Sequence, residues 1–363
     1  MECYTRVKEN KDERGIVMKK ILGITMGDPA GIGAEIALKA LSHKEVYECI
    51  PIIIGDCRPL EDALAFTKLP LRLNIVEDIS LARGEYGAVD LLDLKILGSS
   101  AWEYKKAAPL TGKASYKYIE KAVELAKDHI IDAIVTGPIN KESINLAGYH
   151  YSGHTEILGE LTGTKNFAML LASKDLRVIH VTTHVSMRDA CDMINEDRVY
   201  RVIKLAREGM LQLGFPNPRI GVAGFNPHSS ENGLFGDQEE KAIIPAVNRA
   251  KSEGFLVEGP VPPDTVFVKA IAGLYDIVVA MYHDQGHIPF KLNGFKLDRE
   301  TDEYTVMSGI NCTIGAPIIR TSVDHGTAYD RAGEGRANEG SMVEAIMTAI
   351  TMVNNRTNLQ GNL

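Results

Sequence analysis

The chain has 363 residues, of which 45% are hydrophobic and 24% are charged, and its formal net charge is −8. This length suits an α/β protein with one or two domains, and the acidic balance excludes a general attraction to nucleic acid or anionic membranes. No apolar run is long enough to span a bilayer or to form the core of a signal peptide, so we expect a cytoplasmic protein that acts on a small molecule. The five cysteines lack CxxC spacing and are predicted to be reduced thiols.

In chain order, residues 1–17 are polar and charged without periodicity, which predicts a flexible extension before the first strand, KKILGITM. Short β-branched runs then alternate with amphipathic helical segments, the order typical of an α/β fold with mostly parallel strands. Further strands are predicted at PIIIG, LRLNIV, AIVTGP, FAMLLA, RVIHVTT, RIGVAGF and DIVVAMYH, and long helices at YKYIEKAVELAKDH and RVYRVIKLAREGMLQLG. Residues 295–308 are a charged stretch, interpreted as a surface excursion that is either a lid or a neutral insertion.

The first predicted strand ends in a glycine-rich turn, GDPAGIGAE, which runs from Gly27 to Glu35. Glycines at this place let a ligand approach the backbone just before a helix N-terminus, whose dipole favours an anion. The spacing is not GxGxxG, and the TGK string at residues 111–113 lacks the upstream glycine of a P-loop. The sequence therefore lacks both of these nucleotide-binding fingerprints.

Three histidines follow predicted strands: His184 after RVIHVTT, His228 after RIGVAGFNP and His283 after YDIVVAMY. Parallel strands deliver their carboxyl ends to one edge of a sheet, so we expect these side chains to converge. Neutral imidazoles suit a divalent metal that keeps positions open for water or substrate, which predicts a catalytic metal site. His287 is either a participant in this site or an uninvolved loop neighbour of His283, and His180 is interpreted as a structural histidine within a strand.

Residues 325–338, HGTAYDRAGEGRAN, are too rich in glycine, alanine and polar residues for a core element and are interpreted as a loop around a ligand. The loop resembles the adenosine-binding loop of isocitrate and isopropylmalate dehydrogenases, and GDPAGIGAE resembles their GDGIGPE segment. The resemblance implies that His325 stacks near adenine, that Asn338 bonds it and that Asp330 accepts from the ribose 2′-hydroxyl. Since the charge of Asp330 would repel a 2′-phosphate, NAD is favoured over NADP. The other cofactor-binding residues implied are Gly27, Asp28, Gly31, Gly326 and Ala328.

Further motifs along the chain resemble the 4-hydroxythreonine-4-phosphate dehydrogenase (PdxA) family, in the same order from about residue 19 to about residue 352. They are TMGDPAGIG, TGPINK, SGHTE, TTH, NPHSSENGLFGDQE, PPDTVF, YHDQGHIPFK and RTSVDHGTA. The GHIP, NGLFGD and PPDTVF strings resemble the branch that acts on D-threonate or D-erythronate 4-phosphate. This resemblance implies NAD-dependent oxidation of a 4-phosphorylated 3-hydroxy acid, followed by loss of carbon dioxide, here giving dihydroxyacetone phosphate.

The family resemblance also implies the roles of individual residues. One divalent ion, either zinc, manganese, cobalt or magnesium, would lie on His184, His228 and His283 and polarise the substrate oxygens. Asp264, Asp284 and Lys141 are the candidates for proton transfer or for orienting ligands, with no base assigned. The implied substrate contacts, whose cations suit phosphate and carboxylate, are His154, Thr155, Lys291, Asn311 and Arg320.

The expected architecture has two α/β domains like those of isocitrate dehydrogenase, with helices on both sheet faces and a cleft between the domains. The first domain is expected over residues 18–145 and 318–354, and the second, with the metal and the dimer contact, over 146–317. A homodimer is expected from the family, with the active site near the subunit interface. The alternatives left open are the biosynthetic substrate 4-hydroxy-L-threonine 4-phosphate, a cyclic dihydrodiol acid, and a non-redox metal-dependent hydrolase or phosphate-metabolite binding protein.

Overall fold

The computed structural model describes residues 19–300 and 303–360, so the extension expected at residues 1–17 lies outside the described residues. Strands are β1 (Ile21–Thr25), β2 (Ile50–Gly55), β3 (Arg72–Val76), β4 (Ala88–Asp93), β5 (Ala133–Thr136), β6 (Ala168–Ala172), β7 (Arg177–His180), β8 (Ile220–Ala223), β9 (Val257–Val261), β10 (Ile277–Ala280), β11 (Phe295–Asp298), β12 (Glu303–Met307), β13 (Ile310–Ile314) and β14 (Ile319–Val323). Helices are α1 (Gly33–Ala40), α2 (Cys57–Thr67), α3 (Pro109–Lys127), α4 (Lys141–Leu146), α5 (His154–Thr162), α6 (Met187–Met193), α7 (Glu196–Gln212), α8 (Ile244–Ser252), α9 (Val266–Ile271), α10 (His283–Gly294) and α11 (Gly340–Gln360).

The chain divides into two compact units, one from the described residues of 1–164 and 317–363, the other from 165–316. The first unit extends to residue 164, past the boundary expected after residue 145, because α5 packs against α3. The Lys127 ammonium, at the end of α3, donates to the Leu161 carbonyl at 3.2 Å and fixes this contact.

The first unit contains parallel strands in the order β3-β4-β2-β1-β5-β14. Strands β1 and β2 are buried at every position after their first residue. Continuous burial of this kind requires cover on both faces of the sheet. Helix α3 packs against β1, β2 and β5, and α11 packs against β14, β5 and β1.

The second unit orders its strands β13-β6-β7-β10-β8-β9, and β7, β10, β8 and β9 run parallel. Strand β6 runs antiparallel to β7 and to β13. Helix α7 covers this sheet, contacting β13, β6, β7, β10 and β8. Its first turn is capped by Asn195, whose side chain accepts from Arg198 N at 3.0 Å, as is typical of asparagine at a helix start.

The predicted α/β class with mostly parallel strands is confirmed, and each predicted strand and long helix is present. One local expectation was wrong, because the segment around His287, expected to be a loop, belongs to α10. The stretch 295–308, predicted to be a surface excursion, contains an antiparallel pair, β11 with β12. The described cysteines, Cys49, Cys57, Cys191 and Cys312, are free thiols, as predicted. Among the described helices, none combines the length and apolar character needed to cross a membrane.

Helices α3 and α4 are in such close contact that one methyl group added between them should destabilise the protein. A Cβ at Gly112 would lie 1.9 Å from the Ser143 carbonyl oxygen, so Gly112→Ala must displace backbone. We expect it to lower the free energy of unfolding by about 1–3 kcal/mol. The neighbouring exposed Lys113 gives the control, since Lys113→Ala should change stability by about 0.5 kcal/mol or less. Urea unfolding measures both, and a Gly112→Ala chain as stable as the native one would contradict this packing.

Candidate active site

The strand order of the first unit reverses at β1, which has β2 on one side and β5 on the other. In open parallel sheets, ligands bind outside the carboxyl ends of the strands at such a reversal. Here Gly137 N donates to Thr25 O and Asp28 N donates to Pro138 O, both at 2.9 Å. Ile32 N donates to Thr327 O at 3.1 Å. The turn after β1, the loop after β5 and the loop after β14 therefore meet at one place.

The glycines of the turn after β1 allow the protein to pack against itself. Gly27 has a φ of +80°, and a Cβ there would lie 2.3 Å from Pro138 O. A Cβ on Gly31 would lie 2.9 Å from Thr327 Cβ, and one on Gly33 would lie 2.0 Å from Met26 O. The close approach expected between glycine backbone and ligand is thus seen between glycine backbone and neighbouring loops.

Asp28 is a buried carboxylate at the centre of this junction. Its Oδ1 accepts from Ala30 N at 2.8 Å and its Oδ2 accepts from the Tyr329 hydroxyl at 3.1 Å. The Tyr329 hydroxyl also lies 3.2 Å from Ser143 Oγ. Burial raises the pKa of Asp28, and these hydrogen bonds oppose the rise. Asp28 links the turn after β1 directly to the loop 325–338.

The other cofactor-binding candidates lie along that loop. His325 Nδ1 is 3.0 Å from Gly326 O, and burial lowers the pKa of His325. Ala328 has a left-handed backbone, with a φ of +42°. The exposed Asp330 carboxylate accepts from Arg331 Nε at 3.1 Å. The Asn338 side chain accepts from Gly340 N at 2.8 Å, at the start of α11.

Arg320 and His154 form a second group in this unit. Arg320 is 1% exposed, and its Nε and Nη2 donate to Thr136 Oγ1 at 3.1 and 2.6 Å. Burial and the positive charge of Arg320 hold the pKa of His154 well below its usual range. His154 Nε2 has no hydrogen-bond partner among the described residues. A neutral imidazole beside a guanidinium suits binding of an anionic group.

Lys141 and Thr155 stand at the starts of two helices of the same unit. Lys141 is exposed at the first position of α4, which Asn140 caps by accepting from Ser143 N at 2.8 Å. Thr155 is half-buried in the first turn of α5, directly after His154. Both follow the loop after β5 in the chain.

In the second unit, the structure brings His184 and His283 together at the carboxyl ends of β7 and β10. Their ring centroids are 5.7 Å apart. His283 Nδ1 is 2.7 Å from Asp284 Oδ1. A carboxylate on Nδ1 fixes the ring and leaves Nε2 to bind a ligand, the arrangement common for metal-binding histidines. Both histidines line a cavity of about 460 Å³.

Two further histidines, His180 and His287, join this cluster. His287 stacks on His283 at a centroid distance of 3.7 Å, because one helical turn separates them in α10. His180, 1% exposed, lies 4.7 Å from His287, and neither of its ring nitrogens has a hydrogen-bond partner in the described ranges. Burial, reinforced by the neighbouring histidines, lowers the pKa of His180 to about 3 and that of His287 to about 4. Both imidazoles are therefore neutral near pH 7.

His228 lies apart from this cluster. It is exposed, and its ring centroid lies 6.5 Å from that of Phe235. Across residues 19–300 and 303–360, no three or more His, Cys, Asp or Glu side chains are arranged to hold a metal ion. One chain thus brings together two of the three histidines expected to bind metal.

The remaining predicted residues of this unit differ in their exposure. Asp264 and Asp284 are exposed and line a second cavity of about 610 Å³. Lys291 is exposed, with its ammonium 5.4 Å from the Phe295 ring centroid. Asn311, in β13, has a buried Oδ1 that lacks a described hydrogen-bond partner. Such an oxygen suits an additional donor from a ligand.

Two residues that sequence reasoning missed hold the strand ends in place. Buried Gln285 accepts from Met281 N at 2.6 Å and donates to Gly224 O at 2.8 Å, which joins the ends of β10 and β8. Glu239, 1% exposed, accepts from the backbone of Phe225 and Asn226, both at 2.7 Å. The adjacent GHIP and NPHSS motifs mark these segments, but no sequence signal identifies these contacts.

The chain is similar to known proteins over most of its length. The family model described as pyridoxal phosphate biosynthetic protein PdxA matches residues 47–349. A D-threonate 4-phosphate dehydrogenase from Cupriavidus necator is 45% identical over 93% of this chain and 98% of its own length. A relative from Oceanobacillus iheyensis, provisionally given the same name, is 48% identical over 92% of this chain and 98% of its own.

The solved structure of a 4-hydroxythreonine-4-phosphate dehydrogenase from Klebsiella pneumoniae has a TM-score of 0.81 and 40% identity, covering 93% of this chain and 99% of that one. By the names they carry, these relatives are dehydrogenases of small phosphorylated acids. The chain belongs to the PdxA family, since the family model and these relatives each cover most of it. The resemblance inferred from the motifs is confirmed.

The raised pKa of Asp28 gives a prediction on stability and pH. Because its folded pKa lies above the ordinary value of 3.8, the carboxyl favours folding at low pH, and this contribution is lost as pH rises through the folded pKa. Asp28→Asn keeps a neutral group at every pH. We expect the unfolding free energy of Asp28→Asn, relative to native, to increase between about pH 4 and pH 8.

Asp78→Asn is the control of opposite sign. The Ser80 hydroxyl and amide hold the pKa of exposed Asp78 below its usual value, so its contribution to stability appears as pH rises. Asp78→Asn should therefore lose stability relative to native as pH rises to about 4, and the difference should stay nearly constant between about pH 4 and pH 8. Denaturant unfolding at each pH measures both, and a pH-independent difference for Asp28→Asn would contradict the account of its burial.

Proposed function

We propose that this chain is an NAD-dependent and divalent-metal-dependent dehydrogenase that oxidises and decarboxylates a 4-phosphorylated 3-hydroxy acid. The favoured substrate is D-threonate 4-phosphate, or its stereoisomer D-erythronate 4-phosphate, with dihydroxyacetone phosphate and carbon dioxide as products. One observation carries the proposal. Over more than nine tenths of its length, the chain is similar to relatives that are named D-threonate 4-phosphate dehydrogenases.

The residues proposed to hold NAD lie at the strand-order reversal of the first unit. This position suits a dinucleotide, and the loop 325–338 offers the exposed carboxylate of Asp330 for a ribose diol. A Cβ at Gly326 would meet nothing within 4 Å, so this part of the loop leaves space for a ligand. When bound, NAD would accept the hydride from the substrate C3. The chain supplies the pocket and its charge.

Arg320 and His154 are proposed to bind an anionic group of the substrate. Arg320 is a buried guanidinium that donates to Thr136 Oγ1, and its fixed charge and planar fork of N–H donors suit an anionic group. The unpartnered His154 Nε2 beside it offers a further contact. Thr155, which follows His154 directly, is proposed as a contact to the same part of the substrate.

The fit to a metal is supported by imidazole donors that lie close together in the second unit. His184 and His283 lie close enough to share one ion about 2 Å from each nitrogen, and Asp284 fixes the ring of His283. A bound divalent ion would lower the pKa of the substrate hydroxyl and withdraw electrons as the carboxylate leaves. Asn311 and Lys291 are proposed as substrate contacts on this unit.

Proton transfer is assigned to residues that are exposed to solvent. Asp284 is engaged with His283 and is therefore proposed to orient that ring. Asp264, exposed in the same 610 Å³ cavity, is then the carboxylate proposed to accept the hydroxyl proton. Lys141 is proposed to return a proton to C2 after carbon dioxide has left.

A homodimer is proposed to complete the metal site, because one chain brings only two of the three histidines together. The cavity lined by Asp264 and Asp284 is also lined by exposed apolar side chains, with Val268 66%, Ile288 57% and Leu292 78% exposed. Exposed apolar surface of this kind is typical of a protein interface. A second copy covering it would lie beside His283 and could supply His228.

The main rival is 4-hydroxy-L-threonine 4-phosphate, the substrate named for the Klebsiella pneumoniae structure, which is 40% identical. This compound carries an ammonium where D-threonate 4-phosphate carries a hydroxyl. A non-redox hydrolase or binding protein would use the same histidines without NAD.

The function is tested by offering metal-replete protein the three 4-phosphorylated acids in parallel, with NAD and with NADP, and following the reduced cofactor. We expect kcat/KM for D-threonate or D-erythronate 4-phosphate to exceed that for 4-hydroxy-L-threonine 4-phosphate at least about tenfold, a transition-state difference of about 1.4 kcal/mol. Trapping of dihydroxyacetone phosphate confirms decarboxylation. The reverse preference would assign the biosynthetic reaction, and no cofactor reduction with any acid would refute the dehydrogenase.

The shared metal site is tested by pairing two inactive variants. His228→Ala and His283→Ala should each lose bound metal, measured by elemental analysis, whereas His43→Ala should keep it. If the ligands come from two chains, dimers formed from one chain of each variant contain one intact site and should regain about half of the native activity. Lack of recovery in verified mixed dimers would show that the ligands do not come from two chains.

A further inference from the structure

Helix α1 carries an ion pair, Glu35 with Lys39, that is hydrogen-bonded to the loop 325–338. Glu35 and Lys39 lie one turn apart, with Lys39 Nζ 2.8 Å from Glu35 Oε1. The same ammonium donates to Gly335 O at 2.9 Å and to Ala337 O at 2.7 Å. Glu35 Oε1 also accepts from Ala337 N at 2.7 Å. Two adjacent side chains thus make three hydrogen bonds to a segment about 300 positions later in the chain.

The burial of this pair indicates a defined role in fixing the loop. The Glu35 side chain is 1% exposed and that of Lys39 is 17% exposed. An exposed i,i+4 pair contributes little, whereas a buried charge is tolerated only when it is paired and hydrogen-bonded. Here the carbonyls and amide of the loop supply those bonds. Loss of Lys39 would leave the Glu35 charge buried and two loop carbonyls without their donor, and loss of Glu35 would leave Ala337 N without its acceptor.

The Glu35–Lys39 pair binds the part of the loop that leads to Asn338. Gly335 and Ala337 are bound to Lys39, and Asn338 follows directly. Closer to its start, the loop is held at Thr327 by Ile32 N, from the turn that precedes the same helix. Helix α1 and its turn therefore fix the loop at both ends of residues 328–334, which include Asp330.

We propose that Glu35 and Lys39 are positioning residues that set the affinity for NAD by holding the loop 325–338 in its binding conformation. The inference rests on the proposed function, in which this loop binds the cofactor. Neither side chain needs to touch NAD. A loop held in advance loses less conformational entropy on binding, so releasing it should weaken NAD binding without changing the bound reaction.

Trp102 provides a binding signal that requires neither substrate nor metal. It is the single tryptophan of the chain. Its ring lies 6.4 Å from that of Tyr104, and a Cβ on Gly333 of the loop would lie 3.2 Å from the Tyr104 ring. NADH bound at the loop should therefore quench the emission of Trp102 by energy transfer, and titration of this signal gives Kd.

The test compares Lys39→Met with Lys39→Arg and with the surface control Lys121→Met, which breaks an exposed ion pair to Glu124. We expect Lys39→Met to raise Kd for NADH and KM for NAD about tenfold or more, as for loss of hydrogen bonds to a charged group. At saturating NAD, kcat and KM for the hydroxy acid should stay at native values. Lys39→Arg should recover part of the affinity, and Lys121→Met should match native.

Four outcomes would overturn the proposal. Native NADH affinity in Lys39→Met, or equal losses in kcat and in affinity for the hydroxy acid, would show that the pair does not position the cofactor loop while leaving the proposed function intact. If Lys39→Met does not fold, native affinity in both Lys39→Arg and Glu35→Gln would overturn it instead. A native chain that binds neither NADH nor NADPH would contradict the proposed function itself, and this inference with it.

Discussion

The parallel direction of neighbouring strands is the constraint on which both candidate sites depend. In the first unit, β1, β5 and β14 end at one edge, so loops from residues 27, 137 and 325 onward meet although the chain separates them widely. In the second unit, β7 and β10 end together and bring His184 to His283. Helices that pack on the sheets fix these edges, and the chemistry is confined to the loops.

Buried carboxylates are the means by which this protein holds those loops. Asp28 accepts from Ala30 N, Glu35 from Ala337 N, and Glu239 from two consecutive amides. Asp56 likewise accepts from Ile96 and Leu97 N at 3.0 and 2.6 Å. Each carboxylate exchanges hydration for amides that would otherwise be unpaired, so the loop is held in one conformation. Among the residues that the structure describes, His154 Nε2 and Asn311 Oδ1 are buried without a hydrogen-bond partner, and these are two of the atoms where we propose ligand contacts.

The sequence predicts the strands well because continuous apolar runs and strand burial coincide, as in PIIIG of β2. It fails at α10, where Gly286 and Pro289 argue against a helix. Packing on β7 and β10 outweighs their low propensity, and Gly286 is required since a Cβ would lie 2.3 Å from His180 Nε2. The motifs also identify the family to which the chain belongs. Pairings such as Arg320 with Thr136, 184 positions apart, depend on the folded sheet and are not encoded in any local pattern.

The turn that carries His228 shows why local sequence rules stop short of the site. Residues 228–232 all have positive φ, between 48° and 65°, although none is glycine. Left-handed backbone costs about 1–2 kcal/mol per residue, or about 5–10 kcal/mol over the turn. Hydrogen bonds to a charged group contribute about 1.5–3 kcal/mol each. Glu239 receives three such bonds, from the Phe225 and Asn226 backbone and from the Asn226 side chain, and they fix the two residues at the approach to this turn. The approach to the turn is therefore fixed by a residue 11 positions beyond His228, and the sequence of the turn itself does not reveal this contact.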